Sequence, residues 1–127
     1  MITSINAVLL SSPNASKLAD FYKTKVGLDI KSCGKMEGCE IFGVSFGRGT
    51  TEMAVMDHSK VKGKSKQPER YIINFEVDNI KKEITKLKKA KVKITQDIYT
   101  IDGYGHIATF EDLDGNYVQF VQILYKK

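Results

Sequence analysis

HIATFEDLDGNYVQFVQ, residues 106–122, is the stretch that decides the fold, and its pattern is that of strand, tight turn and strand. The turn at 112–116 is dense in Asp and Asn, whose side chains bond nearby backbone, and Gly115 tolerates a positive φ. Apolar residues alternate with others on both sides of the turn, as a hairpin with one buried face requires. The stretch therefore predicts a β-hairpin with a well-defined register.

The rest of the chain shows an order of elements that occurs twice. In the first copy, Leu18, Phe21, Tyr22 and Val26 recur at helical spacing, which predicts a helix over 14–25 ended by Gly27. Alternating apolar residues predict strands at 5–10, 28–32, 40–46 and 51–56. In the second copy, the predicted elements are a strand at 70–77, a helix from Asp78 with Ile80, Ile84 and Leu87 on one face, a strand at 92–98, and the hairpin.

This repetition predicts two βαβββ modules, the second displaced by roughly 66 residues. One module alone exposes a curved sheet that it cannot cover. Two modules side by side would form an α+β domain with an eight-stranded mixed sheet, helices outside and a concave inner face for a ligand. We expect a single domain over 1–127, with module 1 at 1–56, a polar, lysine-rich linker at 57–69 and module 2 at 70–127.

Composition narrows the class of protein. The chain has 127 residues, of which 42% are hydrophobic and 28% charged, as in a globular domain. No apolar run approaches the ~20 residues of a membrane helix, and the N-terminus lacks a secretion signal, so we expect a cytoplasmic protein with no membrane partner. The net charge of +5 comes largely from lysines at 60–66 and 81–93. With few arginines and no nucleic-acid motif, these lysines indicate a solvated surface and no nucleic-acid partner.

Two cysteines, Cys33 and Cys39, flank a segment with the composition of a hairpin loop. A disulfide between them is geometrically possible. Without a secretion signal, the sequence favours two free thiols, and no second Cys or His pair accompanies them to form a metal site.

The chain resembles the glyoxalase/bleomycin-resistance/dioxygenase family, the vicinal oxygen chelate superfamily, over essentially its whole length. Asp20-Phe21-Tyr22-Lys23, followed by Val26-Gly27-Leu28, is similar to the family's first-helix signature. The segment 110–116 is similar to the turn of its second module, with Leu113 where proline is usual. Each motif is weak alone, but both occur in register on a duplicated βαβββ plan. The resemblance also implies a homodimer, because family members commonly pair modules across a subunit interface.

The resemblance bears directly on metal binding. The family's metalloenzymes place one ligand on the first and one on the last strand of each module, where His, Glu or Gln hold a divalent ion. Counting from the signatures puts these positions at Ala7, Met53, Ile72 and Gln119. Three of the four cannot ligate a hard or borderline cation, and one neutral amide is a poor substitute for imidazoles and carboxylates. A shift of the count by one residue assembles no set either. The expectation is therefore no metal and no other cofactor.

The same register predicts a mostly apolar inner face with a few polar groups, which is the usual pattern of a small-molecule site. Glu76 could act as an acid or base, or pair with a cationic ligand, or simply reach water near its strand end. The alternative is that the inner-face residues fill space and bind nothing specific. The residues predicted to line the site are Ala7, Leu9, Met53, Ile72, Asn74, Glu76, Tyr104, Thr109, Tyr117 and Gln119.

The function expected from this resemblance is metal-independent binding of a small organic ligand, with sequestration of a drug or metabolite. Two alternatives belong to other classes: a glyoxalase-type lyase or isomerase with a degenerate metal site, and a ligand-sensing regulatory domain. The fold alone does not separate them, because the superfamily hosts all three.

Overall fold

The computed structural model describes residues 1–36, 38–47 and 49–124, so the last three residues of predicted module 2 lie outside the described part. The predicted duplication is confirmed, because each half of the chain holds the order βαβββ. The chain divides into two compact units, 1–63 and 64–127. The elements of the first unit are β1 (Ala7–Ser12), α1 (Ala15–Phe21), β2 (Lys31–Met36), β3 (Cys39–Val44) and β4 (Glu52–Asp57). Those of the second are β5 (Ile73–Glu76), α2 (Ile80–Lys89), β6 (Ile94–Ile101), β7 (Gly105–Glu111) and β8 (Tyr117–Ile123).

Each unit builds its own mixed sheet of four strands. The strand order is β1-β4-β3-β2 in the first unit and β5-β8-β7-β6 in the second. In both units the first strand runs parallel to the last, and the remaining pairs are antiparallel. The last strand of each unit is therefore an interior strand of its sheet.

The two α-helices begin in the same way. Asn14 and Asn79 each occupy the N-cap, and their side chains accept a hydrogen bond from the backbone N–H of Lys17 and Lys82, at 3.1 Å in both cases. Asn is among the best N-cap residues because its side-chain oxygen satisfies an N–H that the helix leaves unpaired. The two caps stand 65 positions apart, close to the displacement that the sequence predicts.

The predicted helix 14–25 is α-helical only as far as Phe21. Residues Tyr22–Val26 form a π-helical turn, and Gly27 ends it at φ 94°. The Tyr22 carbonyl accepts hydrogen bonds from the N–H groups of Gly27 and Leu28, each at 2.9 Å. A π-helical turn contains more residues than an α-helical turn, and here it places Val26 in a buried position. The change of helix type therefore keeps this apolar side chain in the core.

The predicted strand 70–77 is shorter than expected, because its first residues belong to a turn. The Arg70 N–H donates to the Gln67 carbonyl at 3.1 Å, and the Arg70 guanidinium donates to the Gln67 side chain at 2.6 and 3.0 Å. Pairing of β5 therefore starts at Ile73, and Ile72 lies just before the strand.

The core of each unit lies between its helix and one face of its sheet. In the second unit, Val118 and Phe120 of β8 are buried with Phe110 of β7, and the rings of Phe110 and Phe120 are 4.9 Å apart. Gln122 lies on this same face of β8, and its side chain accepts a hydrogen bond from the Ile80 N–H at the start of α2, at 2.9 Å. In each unit, we call the face of the sheet that packs against the unit's own helix the helix face. The opposite face, which that helix does not cover, is called the open face. None of the helices in the described ranges is long and apolar enough to cross a membrane.

Candidate functional site

The open face of the second sheet carries a row of neutral polar side chains across three strands. The register aligns Asn74 of β5 with Gln119 of β8, and Gln119 with Thr109 of β7. The Asn74 amide donates to the Gln119 side-chain oxygen at 3.2 Å, and the Gln119 amide donates to the Thr109 hydroxyl at 3.2 Å. Asn74, Gln119 and Thr109, which we call the amide row, are therefore hydrogen-bonded end to end.

The turn that precedes β8 fixes the register of this row. Asp112 is buried, and its Oδ1 accepts hydrogen bonds from the N–H groups of Asp114 at 2.9 Å and Asn116 at 3.0 Å. Its Oδ2 accepts a third, from the Asn116 side chain, at 2.9 Å. Gly115 adopts φ 78°, which only glycine takes up readily. A slip of one residue here would turn Gln119 toward α2, so the turn determines which side chains face outward.

The chemistry of the amide row is that of uncharged donors and acceptors. Within the row, both ends of the Gln119 amide are engaged. The Asn74 carbonyl oxygen can still accept, and the Thr109 hydroxyl hydrogen can still be donated. Thr109 is buried, Gln119 half-buried and Asn74 exposed, so the row leads from a buried position on β7 to an exposed one on β5.

Apolar and aromatic side chains flank the row on the same face. Ile107 and Val121 are paired by the register and both are buried. Tyr117, two positions before Gln119, is half-buried and pairs with Glu111. Apolar walls beside sparse polar groups are the usual composition of a small-molecule site.

The other predicted site residues of this unit lie farther from the row. Glu76 is exposed at the last position of β5, the placement expected of a carboxylate that reaches water. Tyr104 lies in the turn between β6 and β7, is 43% exposed, and its carbonyl accepts a hydrogen bond from the Leu124 N–H at 3.0 Å. Ile72 is 37% exposed just before β5. Gln96 of β6 pairs with Thr109 and so extends the polar edge of the face. Alternation along the sequence does not predict this position, because β6 has register shifts on either side of Gln96.

In the first sheet, the prediction that Met53 shares a face with Ala7 and Leu9 is wrong. The parallel register pairs Ala7 with Glu52 and Leu9 with Ala54, so these four side chains lie on the open face. Met53 and Val55 lie on the other face, where they are 3% and 0% exposed.

Asp57 shows that this other face is the helix face. Its Oδ1 accepts a hydrogen bond from the Ala15 N–H of α1 at 2.7 Å, and Asp57 lies two positions beyond Val55, on the same side of β4. The error in the count comes from the preceding loop. β8 begins two residues after Gly115, whereas β4 begins three residues after Gly49. The residue equivalent to Gln119 is therefore Ala54.

The residues at the family's metal positions do not fit a metal ion. Ala7 and Ile72 have hydrocarbon side chains, and so does Ala54, which replaces Met53 once the register is corrected. The fourth position, Gln119, offers a neutral amide that is already bonded to Asn74 and Thr109. Glu52 adds a single carboxylate on the open face beside Ala7. In the described part of the chain, no three His, Cys, Asp or Glu side chains lie close enough together to hold a metal ion.

The two histidines lie apart from the amide row. The register pairs His106 with Gln122, which places it on the helix face, and its Nδ1 is 2.8 Å from the Thr100 hydroxyl. His58 follows β4 in the first unit, and its Nδ1 accepts a hydrogen bond from the Lys60 N–H at 3.1 Å.

Comparison with known proteins identifies one family. The model of the Glyoxalase/Bleomycin resistance protein/Dioxygenase superfamily matches residues 4–120. A comparison with curated protein sequences gives no significant match.

Several solved structures share the fold over nearly the whole chain. TnmS3, an antibiotic-binding protein from Streptomyces sp. CB03234, is 18% identical with a TM-score of 0.73, covering 96% of this chain and 97% of that one. Hypothetical protein SA1046 from S. aureus is 23% identical with a TM-score of 0.71, covering 96% and 95%. The trypanothione-dependent glyoxalase I of Leishmania major is 18% identical with a TM-score of 0.72, covering 95% and 87%. At these identities the likeness concerns the fold alone.

Proposed function

The chain belongs to the Glyoxalase/Bleomycin resistance protein/Dioxygenase superfamily, and we propose that it is a member that binds and sequesters a small organic molecule without a metal ion. The observation that carries this proposal is the amide row. At Gln119, where the metalloenzymes of the family place a ligand, this chain has a neutral amide held by Asn74 and Thr109 at 3.2 Å each. Such a row can orient an uncharged polar group of a ligand but cannot replace the anionic ligands of a divalent ion.

The surroundings of the amide row support a binding role. On this face the aromatic ring of Tyr117 is half-buried and the aliphatic residues Ile107 and Val121 are buried, so the exposed part of the ring can supply apolar contact while the row supplies orientation. One structural relative is an antibiotic-binding protein, which agrees with a ligand-binding role for this fold.

The first test is a thermal-shift screen with bleomycin and a panel of hydrophobic antibiotics. A compound that binds only the folded protein raises the melting temperature as its concentration increases. The Gln119→Leu variant removes the centre of the row, and we expect its affinity for a hit to fall by about tenfold, the loss of one or two oriented hydrogen bonds. The matched control is Gln67→Leu, which removes an amide that is also hydrogen-bonded, to Arg70, but lies outside the row.

Independence from metal is tested on the same hit. Protein treated with a chelator and protein as purified should bind it with the same affinity, and elemental analysis should find no stoichiometric metal. About one metal ion per subunit, or loss of binding after chelation, would overturn the metal-free part of the proposal. Equal affinity of the Gln119→Leu variant and the native protein would place the ligand elsewhere.

Association into a homodimer is also part of the proposal. In the first unit, Leu9 on the open face is 61% exposed and Ile5, which precedes β1, is 72% exposed. Covering such apolar side chains is a common reason for self-association. Sedimentation velocity at micromolar concentration measures it directly: a dimer supports the proposal, and a monomer throughout the concentration range contradicts it.

A further inference from the structure

The first unit contains a cavity of about 620 Å³ that lies outside the amide row. It is formed between the open face of the first sheet and the segment that follows β4. Its volume is within the roughly 300–1,000 Å³ of small-molecule pockets. The described residues that line it all belong to the first unit, between residues 13 and 62.

One part of the cavity wall is apolar. Ile41 of β3 and Met56 of β4 both line it, and both are half-buried. The antiparallel register pairs Phe42 with Val55, so Ile41 and Met56 are the next residues on neighbouring strands and face the same side of the sheet. Val61, half-buried in the segment after β4, adds a third aliphatic surface.

The other part of the wall is rich in hydrogen-bond donors. Because His58 Nδ1 accepts a bond from the Lys60 N–H at 3.1 Å, the proton of the neutral ring lies on Nε2, which is then a donor. Lys62 and Ser59 also line the cavity and add an ammonium group and a hydroxyl. Among the described lining residues the one carboxylate is Asp57, which is already bonded through Oδ1 to the Ala15 N–H at 2.7 Å.

From this division we infer that the cavity is a second ligand site, which takes a small molecule with an apolar body and a carboxylate group. The apolar body would contact Ile41, Met56 and Val61. The carboxylate would accept hydrogen bonds from the donors at His58 and Lys62. The cavity shares no described lining residue with the amide row, which belongs to the other sheet.

The chain carries its own reporter for this site. Cys39 lines the cavity and is exposed, whereas Cys33, also exposed, does not line it. The Cys33 thiol donates to the Ile41 carbonyl at 3.3 Å, a bond that a serine hydroxyl can also make. The Cys33→Ser variant therefore leaves Cys39 as the single thiol, and the Cys39→Ser variant leaves Cys33 as the matched control.

The experiment measures the rate at which Ellman's reagent modifies each single-thiol variant in the presence of 2-naphthoate. A ligand that covers Cys39 slows its modification by the factor 1 + [L]/Kd, which is about tenfold at ten times Kd. We expect this saturable protection at Cys39, no protection at Cys33, and much weaker protection by 2-naphthylmethylamine, which has the same rings and the opposite charge. Lys62→Gln should raise the half-protecting concentration by about tenfold, the effect of losing one charge-assisted hydrogen bond.

No protection of Cys39 at millimolar 2-naphthoate would overturn the site. Equal slowing at Cys33 and Cys39 would show a general effect on thiol reactivity and would also overturn it. Equal protection by the amine would refute the assignment of a carboxylate ligand. In the Gln119→Leu variant, 2-naphthoate should protect Cys39 as well as it does in the native protein, so failure here and failure of the proposed function are distinguishable.

Discussion

Replacing Asp112 with alanine should destabilise the protein by about 2–3 kcal/mol, because one buried carboxylate organises the turn before β8. It accepts three hydrogen bonds, at 2.9, 3.0 and 2.9 Å, from the Asp114 N–H, the Asn116 N–H and the Asn116 side chain. A hydrogen bond to a charged group contributes about 1.5–3 kcal/mol net. Asp114 and Asn116 are half-buried, so their freed N–H groups can reach water, which keeps the total well below the sum of the three.

The assay is thermal unfolding followed by circular dichroism or calorimetry. With an unfolding entropy of about 2.1 cal/mol/K per residue, the 127 residues give about 0.27 kcal/mol/K, so the expected fall in melting temperature is about 7–11 °C. Urea unfolding gives an independent value for the free energy of unfolding through a shift of the midpoint at constant slope.

Two further variants calibrate the result. Asn116→Ala removes one of the three bonds and should cost about a third as much. Asp20→Ala changes an exposed carboxylate on α1 and should stay within about 0.5 kcal/mol of the native protein. If Asp112→Ala lowered the melting temperature no more than Asp20→Ala, the Asp112 carboxylate would neither organise this turn nor set the register of β8.

Two other predictions concern packing and charge. A Cβ on Gly105 would lie 2.5 Å from the Gln122 carbonyl oxygen, a backbone atom that cannot move away, so Gly105→Ala should lower the free energy of unfolding by at least about 1–3 kcal/mol in urea titrations; Gly43→Ala, whose Cβ would lie 3.0 Å from the Cys33 thiol and at an ordinary 3.5 Å from the Met53 carbonyl oxygen, should cost less, and the reverse order would contradict the argument. Lys88, 2.9 Å from Asp97, lowers the pKa of that carboxyl, so the stabilisation is present above the unfolded-state pKa and is lost as pH falls through the lower folded-state pKa. In an NMR titration, Lys88→Met should raise the Asp97 pKa toward its ordinary value, and an unchanged pKa would show that the ion pair does not cause the shift.

The second unit was the more predictable half of the chain, because its register follows from one turn. Gly115 and the flanking Asp and Asn residues define where β8 begins, and alternation along the strand then assigns Gln119 to the open face and Phe120 to the core. The first unit has no equivalent signal. Its loop after β3 reaches β4 one residue later, and nothing in the residue types reveals that extra position, so the count assigned Met53 to the wrong face.

Other features depend on contacts that no local pattern contains. The π-helical turn at Tyr22–Val26 adjusts the helix to the sheet beneath it, a requirement set by packing and not by helix propensity. The sequence suggested Asn74, Thr109 and Gln119 individually as polar site residues. Their end-to-end hydrogen bonding arises only when three strands from distant parts of the chain are aligned.

The position of β8 inside its sheet has a consequence for biosynthesis. β5 pairs with β8 across 45 positions, from Ile73 to Val118, and has no other strand partner in the described sheet. During translation, β5 must remain unpaired until residues 117–123 have left the ribosome, and closing so long a loop carries an entropic cost before any contact is gained. Ribosome-stalled chains ending before Tyr117 should therefore present β5 as an exposed strand edge, the state in which a chaperone or a second nascent chain would bind it.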